Sequence, residues 1–145
     1  MRIDWSRAAV AGLLATGVMT AVGLWIAPLM GIPAMNPAAM LAGAMGGSVA
    51  LGWLGHLMIG TVLALIYAAL APRLPGTAWI RGALYGLAPW LLVQLVVIPM
   101  MGMPLFSGSA TLAMGSLVSH LVYGAVVGAT YGTGSHRPVG RPVAA

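Results

Sequence analysis

The segment His56–Tyr67, HLMIGTVLALIY, returns later in the chain as His120–Tyr131, HLVYGAVVGATY. His, Leu, Gly, Val and Tyr recur in register, and neither copy carries a formal charge. Each copy sits in an apolar run of the length a bilayer-spanning helix needs, about 20 residues. The likeness extends outward from these two copies. Pro28-Leu-Met-Gly-Ile-Pro33 ends the apolar run before the first copy, and Pro99-Met-Met-Gly-Met-Pro104 ends the run before the second. The entries correspond as well, Arg7-Ala-Ala-Val-Ala-Gly12 against Arg81-Gly-Ala-Leu-Tyr-Gly86. A repeat unit of two spans gives both units the same orientation. The sequence therefore predicts an all-α polytopic membrane protein, with four transmembrane helices as two parallel two-helix repeats about a pseudo-two-fold axis along the membrane normal.

The expected spans are Ala8–Ala27, stopped by Pro28; about Leu41 or Met45 to Leu70, stopped by Pro72; Gly82–Ile98, short and carrying Pro89; and about Ser107 to Tyr131. The transmembrane domain then covers residues 1–132, with repeat 1 about 7–72 and repeat 2 about 81–132. A basic tail, 133–145, lacks an apolar stripe and is expected to be disordered. The run after Arg2 and Arg7 exceeds the 7–15 residues of a signal-peptide core, so it reads as the first helix.

Composition supports this class. The 145 residues are 61% hydrophobic and 5% charged, against about 25% charged in soluble domains, and mean hydropathy is +1.01. A soluble fold and a disordered chain are both excluded. The net charge of +5 does not mark a nucleic-acid partner, because the arginines fall as separated pairs, Arg2/Arg7, Arg73/Arg81 and Arg137/Arg141. Pairs that bracket apolar spans mark cytoplasmic loops, which places both termini on the cytoplasmic side of a prokaryotic inner membrane, with the lipid bilayer as the first partner. Trp5 and Trp79 beside the arginines, and Trp25 at the far end of the first helix, are expected interfacial anchors. Tyr67 and Tyr131 close the inner ends of the second and fourth helices.

The missing residues narrow the chemistry. With no cysteine, disulfides, thiolate metal sites and iron–sulfur clusters are excluded. Asp4 is the only carboxylate, so the spans lack the buried acid of a proton-coupled carrier, including the glutamate expected of four-helix small multidrug transporters. Ser119 adjoins His120, but helix neighbours point about 100° apart and form no nucleophile–base pair. No catalytic residue is expected.

Two polar residues stand out. His56 precedes Arg73 by the interval at which His120 precedes Arg137, so both imidazoles sit at one depth. The run from each histidine to its tyrosine spans roughly 16 Å, which puts the rings near the middle of a slab about 30 Å thick. Gly52 and Gly60 flank His56 one turn away, as Ser116 and Gly124 flank His120. Such residues admit a neighbouring helix or leave room for a flat ligand. Three readings remain open. The histidines hydrogen-bond across helices, with Thr16, Thr20, Gln94 and Ser119 as membrane-core partners. They are axial ligands of a haem b. Or they hold copper, with Met101 and Met103 as soft donors from a methionine-rich outer face that includes Met30, Met35, Met40, Met45 and Met100.

The opening Ala11-Gly-Leu-Leu-Ala-Thr-Gly-Val-Met-Thr20 resembles the A-G-x-x-A-T-x-x-M-T start of small prokaryotic four-helix inner-membrane proteins, the YagU-like families of unknown function. The resemblance implies the four-span layout and carries no functional residues. The resulting expectation is a non-enzymatic membrane protein, an accessory or packing subunit of a larger membrane assembly or a homo-oligomer. Its basis is the small-residue seams at Gly12, Gly17, Gly23, Gly43, Gly47, Gly124 and Gly128. The alternatives are the haem or copper protein and a small oligomeric pore or carrier lined by Gln94 and the histidines.

Overall fold

The structure is a computed structural model that describes residues 3–132. Arg2, Arg137, Arg141 and the tail 133–145 lie outside the described residues. Helices α1 (Trp5–Leu29), α3 (Val49–Arg73), α4 (Ala78–Met100) and α5 (Ala110–Gly132) are each long and apolar enough to cross a membrane. A short helix, α2 (Pro37–Ala44), joins α1 to α3. Among the described residues there is no strand.

Four expected boundaries move, each for a local reason. The first and third spans run through their prolines to Leu29 and Met100 instead of stopping before them. In an α-helix the ring of Pro28 would collide with the carbonyl four residues back, and its missing N–H would leave that carbonyl unbonded. A π turn at Val22–Ile26 widens the ladder just before Pro28, and a second at Val93–Val97 does so before Pro99. The repeat thus reaches down to its backbone irregularities. The second span starts later than expected, because Gly46 and Gly47 both adopt positive φ (76° and 86°), a conformation that breaks the helix and suits glycine. Ser48 then caps α3, its Oγ accepting from the Leu51 amide at 3.4 Å. The fourth begins at Ala110 because Phe106 and Ser107 hold positive φ of 54° and 60° in the turn Leu105–Gly108.

The core inverts the pattern of a soluble protein. Ala8, Ala11 and Ala15 pack with Ala64, Ala68, Tyr67, Tyr85, Tyr123, Val127 and Tyr131, while Leu13, Leu54, Leu92 and many other large aliphatic side chains face outward. Lipid tails are as apolar as leucine, so burying leucine gains little, and close contact between small residues holds helices together instead. The tyrosines spend their hydroxyls on backbone carbonyls: Tyr123 donates to Gly60 (2.6 Å) and Tyr85 to Leu63 (2.8 Å). Tyr67 and Tyr131 are therefore core residues, packed edge-on at 6.1 Å, and not merely the inner ends of their helices. Trp5, Trp25 and Trp79 are exposed, as interfacial anchors require.

Each two-helix unit packs as a pair, α1 on α3 and α4 on α5. The expected two-fold relation between the units is not kept. Helix α1 also packs along α5, whereas the equivalent pair, α3 and α4, meets largely through Tyr67 and Tyr85, whose rings lie 5.3 Å apart. The two loops explain part of the difference. Helix α2 lies against α3, where Ala38 and Ala42 fill the notch at Gly52. In the second unit the short turn Leu105–Gly108 leaves an open apolar groove of about 420 Å³, lined by Trp90, Phe106 and Met114 among others.

The described arginines gather at one end of the bundle, where each bonds to a backbone carbonyl. Arg7 Nε donates to Thr130 (2.8 Å), Arg73 to Ala69 (3.2 Å) and Arg81 to Gly76 (2.9 Å). Ala69 and Thr130 lie near the C-terminal ends of α3 and α5, which carry partial negative charge and favour cations; Gly76 lies in the loop before α4.

Candidate functional site

The polar side chains within the spans concentrate where α1, α3 and α5 meet. Thr16 and Thr20 are buried one turn apart on α1, and each hydroxyl donates to the carbonyl four residues earlier, at 2.7 Å. His56, buried on α3, places Nε2 at 2.9 Å from Thr20 Oγ1. On α5, His120 is half-buried, and its Nδ1 lies 2.8 Å from the Ser116 carbonyl of its own helix. Ser119 is buried beside Gly23 of α1 and returns its hydroxyl to the Gly115 carbonyl at 3.1 Å.

Tyr123 fixes the relation between the two histidines. Gly60 lies one turn from His56 on the same face, and Tyr123 lies one turn from His120. The bond from Tyr123 to Gly60 joins those two turns, so the imidazoles project from adjoining levels of α3 and α5.

The sequence-derived partners divide. Thr20 meets His56, as expected of a cross-helix hydrogen bond. Thr16 instead fills the notch at Gly60. Gln94, fully buried on α4, pairs with Ser107 Oγ at 3.4 Å and does not join the histidines. The small residues flanking the rings are consumed by helix contact: Gly52 by the backbone of Ala38, Gly60 by Thr16, and Gly124 by the backbone of Gly82. A porphyrin plane in those notches would have to separate helices that are already in contact. Met101 and Met103 act through their amides, which donate to the Ile98 carbonyl at 3.2 Å and end α4. Among the described residues no group of three His, Asp or Glu side chains is arranged to hold a metal.

Sequence reasoning missed Tyr123 as the link between the histidine-bearing helices. Its signal was the place of Gly60 in the first copy of the repeat, which leaves a carbonyl open to a long donor.

Fold and site together define a helical protein with four membrane-span-length helices and a small polar cluster at the centre of three of them. Residues 3–141 match the family described as "Family of unknown function (DUF6789)", and the chain belongs to that family. No curated protein matches the chain, and no solved structure does.

Proposed function

We propose that the chain is a non-enzymatic inner-membrane protein that works by helix association, as a homo-oligomer formed through the outer face of α1, with both termini cytoplasmic. The observation that carries this reading is Gly17. Every other glycine in the four spans has a neighbour within 4 Å of the position its Cβ would occupy; Gly17 has none. It is exposed, in helical conformation, and lies one turn from the half-buried Ala21. A mid-helix glycine costs about 0.5–1 kcal/mol relative to alanine, and at Gly17 nothing within the chain uses the space gained. Small residues four apart on a lipid-facing surface are what lets a second helix approach closely. The expected seams at Gly12, Gly23, Gly124 and Gly128 give no support here, since they close contacts inside the chain.

The gathering of Arg7, Arg73 and Arg81 at one end of the bundle supports the cytoplasmic placement of that end. The A-G-x-x-A-T-x-x-M-T opening, which supports kinship with YagU-like inner-membrane proteins, contains Gly17 itself. The test is disulfide trapping between chains given a cysteine on that face (Leu14→Cys, exposed one turn from Gly17), with energy transfer between labelled chains in liposomes. Gly17→Ile is expected to abolish dimer signal while leaving the melting temperature of the monomer unchanged. Dimer signal that persists in Gly17→Ile, or a wild-type chain that stays monomeric at high protein-to-lipid ratio, overturns the reading.

A further inference from the structure

Gln94 of α4 is buried by the fold and left underused. It is 1% exposed, yet its carboxamide makes a single hydrogen bond, accepting from Ser107 Oγ at 3.4 Å. A carboxamide offers two donors and two lone pairs, so most of its capacity stays open whichever way the group is turned. Its nitrogen is not sealed in, because Arg81 Nε is the only enclosed side-chain nitrogen or oxygen without a partner among the described residues. Buried polar groups are ordinarily satisfied, and an exception in a folded protein calls for a reason. The repeat supplies none. The corresponding position, five residues before the proline that follows each π turn, is Gly23 in the first unit.

Two neighbours place Gln94 at the edge of the apolar groove. Trp90 lies one turn earlier on α4, and Ser107 stands between Phe106 and Gly108; Trp90, Phe106 and Gly108 all line the groove of about 420 Å³. The wall is built within the chain: Trp90 Nε1 donates to the Ala113 carbonyl at 3.2 Å, and the Phe106 ring packs on the indole with centroids 5.9 Å apart. Small-molecule sites of about 300–1,000 Å³ combine such apolar, aromatic walls with a few polar groups. Charge and depth then select the occupant. The described arginines sit at the other end of the bundle, and Asp4, the only acid, precedes α1, so nothing beside the groove balances a charged ligand. Gln94 lies six residues inside Met100, the last residue of α4, or roughly 9 Å at 1.5 Å per residue. The ester carbonyls of lipids stay at the interface, whereas a carbonyl at this depth belongs to a neutral molecule that dissolves in the hydrocarbon itself. A flat ring suits the aromatic wall.

We propose that the groove between α4 and the start of α5 binds the head group of a membrane-soluble quinone, its ring against Trp90 and Phe106 and one carbonyl accepting from the Gln94 carboxamide. The site lies within one chain and is independent of self-association through α1.

The test uses the full chain in lipid nanodiscs, titrated with decylubiquinone while tryptophan quenching and the nitrogen-15 side-chain resonance of Gln94 are followed. Saturable quenching and a shift of that resonance with the same midpoint are expected, and the resonance of the wild type is a readout that no variant's folding can obscure. Gln94→Leu should weaken binding about 2–10-fold, the loss of one hydrogen bond. Phe106→Leu should weaken it by a similar factor, about 2–10-fold, through the loss of an aromatic face. Decylbenzene, which has a ring and tail but no carbonyl, should fail to displace the quinone at equal concentration, and Gly17→Ile should bind like the wild type. The proposal is overturned by quenching that never saturates, by unchanged affinity in Gln94→Leu, by displacement with decylbenzene, or by loss of binding in Gly17→Ile. A Gln94 resonance that differs between ester and ether lipids but ignores the quinone assigns the carboxamide to a lipid ester and overturns it equally.

Discussion

The two helix pairs descend from one sequence pattern and close in different ways. In α4–α5 glycine faces glycine: a Cβ on Gly82 or Gly124 would run into the other's backbone, and one on Gly128 would meet the backbone of Ala78 and Gly82. In α1–α3 a glycine faces larger residues, Gly12 against Ala64 and the Thr61 backbone, and Gly60 against the Thr16 side chain. The second pair is thus a backbone-to-backbone seam, where weak Cα–H···O contacts become geometrically available. The first is close to backbone at Gly12 but is filled by the Thr16 side chain at Gly60, and it admits hydroxyls and an imidazole. A repeat can preserve the place of a glycine without preserving what fills the space opposite, and the polar cluster forms only where a side chain fills it.

That difference can be broken experimentally, and the largest effect is expected at the seam. Gly124→Ala should destabilise the fold by about 3 kcal/mol, the upper range for overpacking, measured by steric trapping in bicelles. No single side-chain truncation should rescue it, because the obstacle is the Gly82 backbone. Gly60→Ala should cost about 1–3 kcal/mol, and Thr16→Ala in the same chain should restore most of the loss, since Thr16 Oγ1 and Cγ2 are removable. If rescue fails at Gly60, or succeeds at Gly124, the contrast between the pairs is wrong.

Smaller effects sharpen the comparison at the histidines. Tyr123→Phe removes the 2.6 Å bond to Gly60 and should cost about 0.6–1.7 kcal/mol, the range for hydrogen bonds between membrane helices. Thr20→Val should cost about 0.6 kcal/mol in the same assay. Ser116→Ala should be silent, because His120 bonds the Ser116 carbonyl at 2.8 Å while the hydroxyl stands off at 3.5 Å.

The smallest effect belongs to the start of α1. Asp4 accepts from the Arg7 amide at 2.9 Å and from Ser6 at 2.8 Å, and these bonds, the amide first, hold its carboxyl below the ordinary value of 3.8. A depressed folded value means the cap contributes above the ordinary carboxylate range and is lost as pH falls through the folded value. The protection factor of the Arg7 amide, its exchange rate relative to the unstructured rate at the same pH, should therefore fall in acid, and Asp4→Asn should remove that pH dependence while keeping the cap. A protection factor that is flat with pH in the wild type would deny Asp4 this role.

Much of the fold was legible in the residues. Four spans, the repeat and the outward tryptophans follow from hydropathy and spacing, which are local properties. The boundaries at Pro28 and Pro99 were misplaced because a π turn absorbs a proline that an α-helix rejects, and no composition rule separates the two cases. Of the site, the matched histidines and the threonine partner were visible, since Thr20 is one of few hydroxyls in the first span. The role of Tyr123 was not, because it depends on which turn of α3 comes to face it.

By itself the sequence determined the helices, their approximate ends and the arginine-marked end. Helix period and transfer free energy act over a single turn or a single span, and a sequence records both directly. The tertiary structure alone decided which glycines close contacts within the chain and which one in the four spans, Gly17, stays open. It also decided that α1, and not α4, packs along both histidine-bearing helices. A glycine specifies only the absence of a side chain; what occupies the space depends on residues far along the chain.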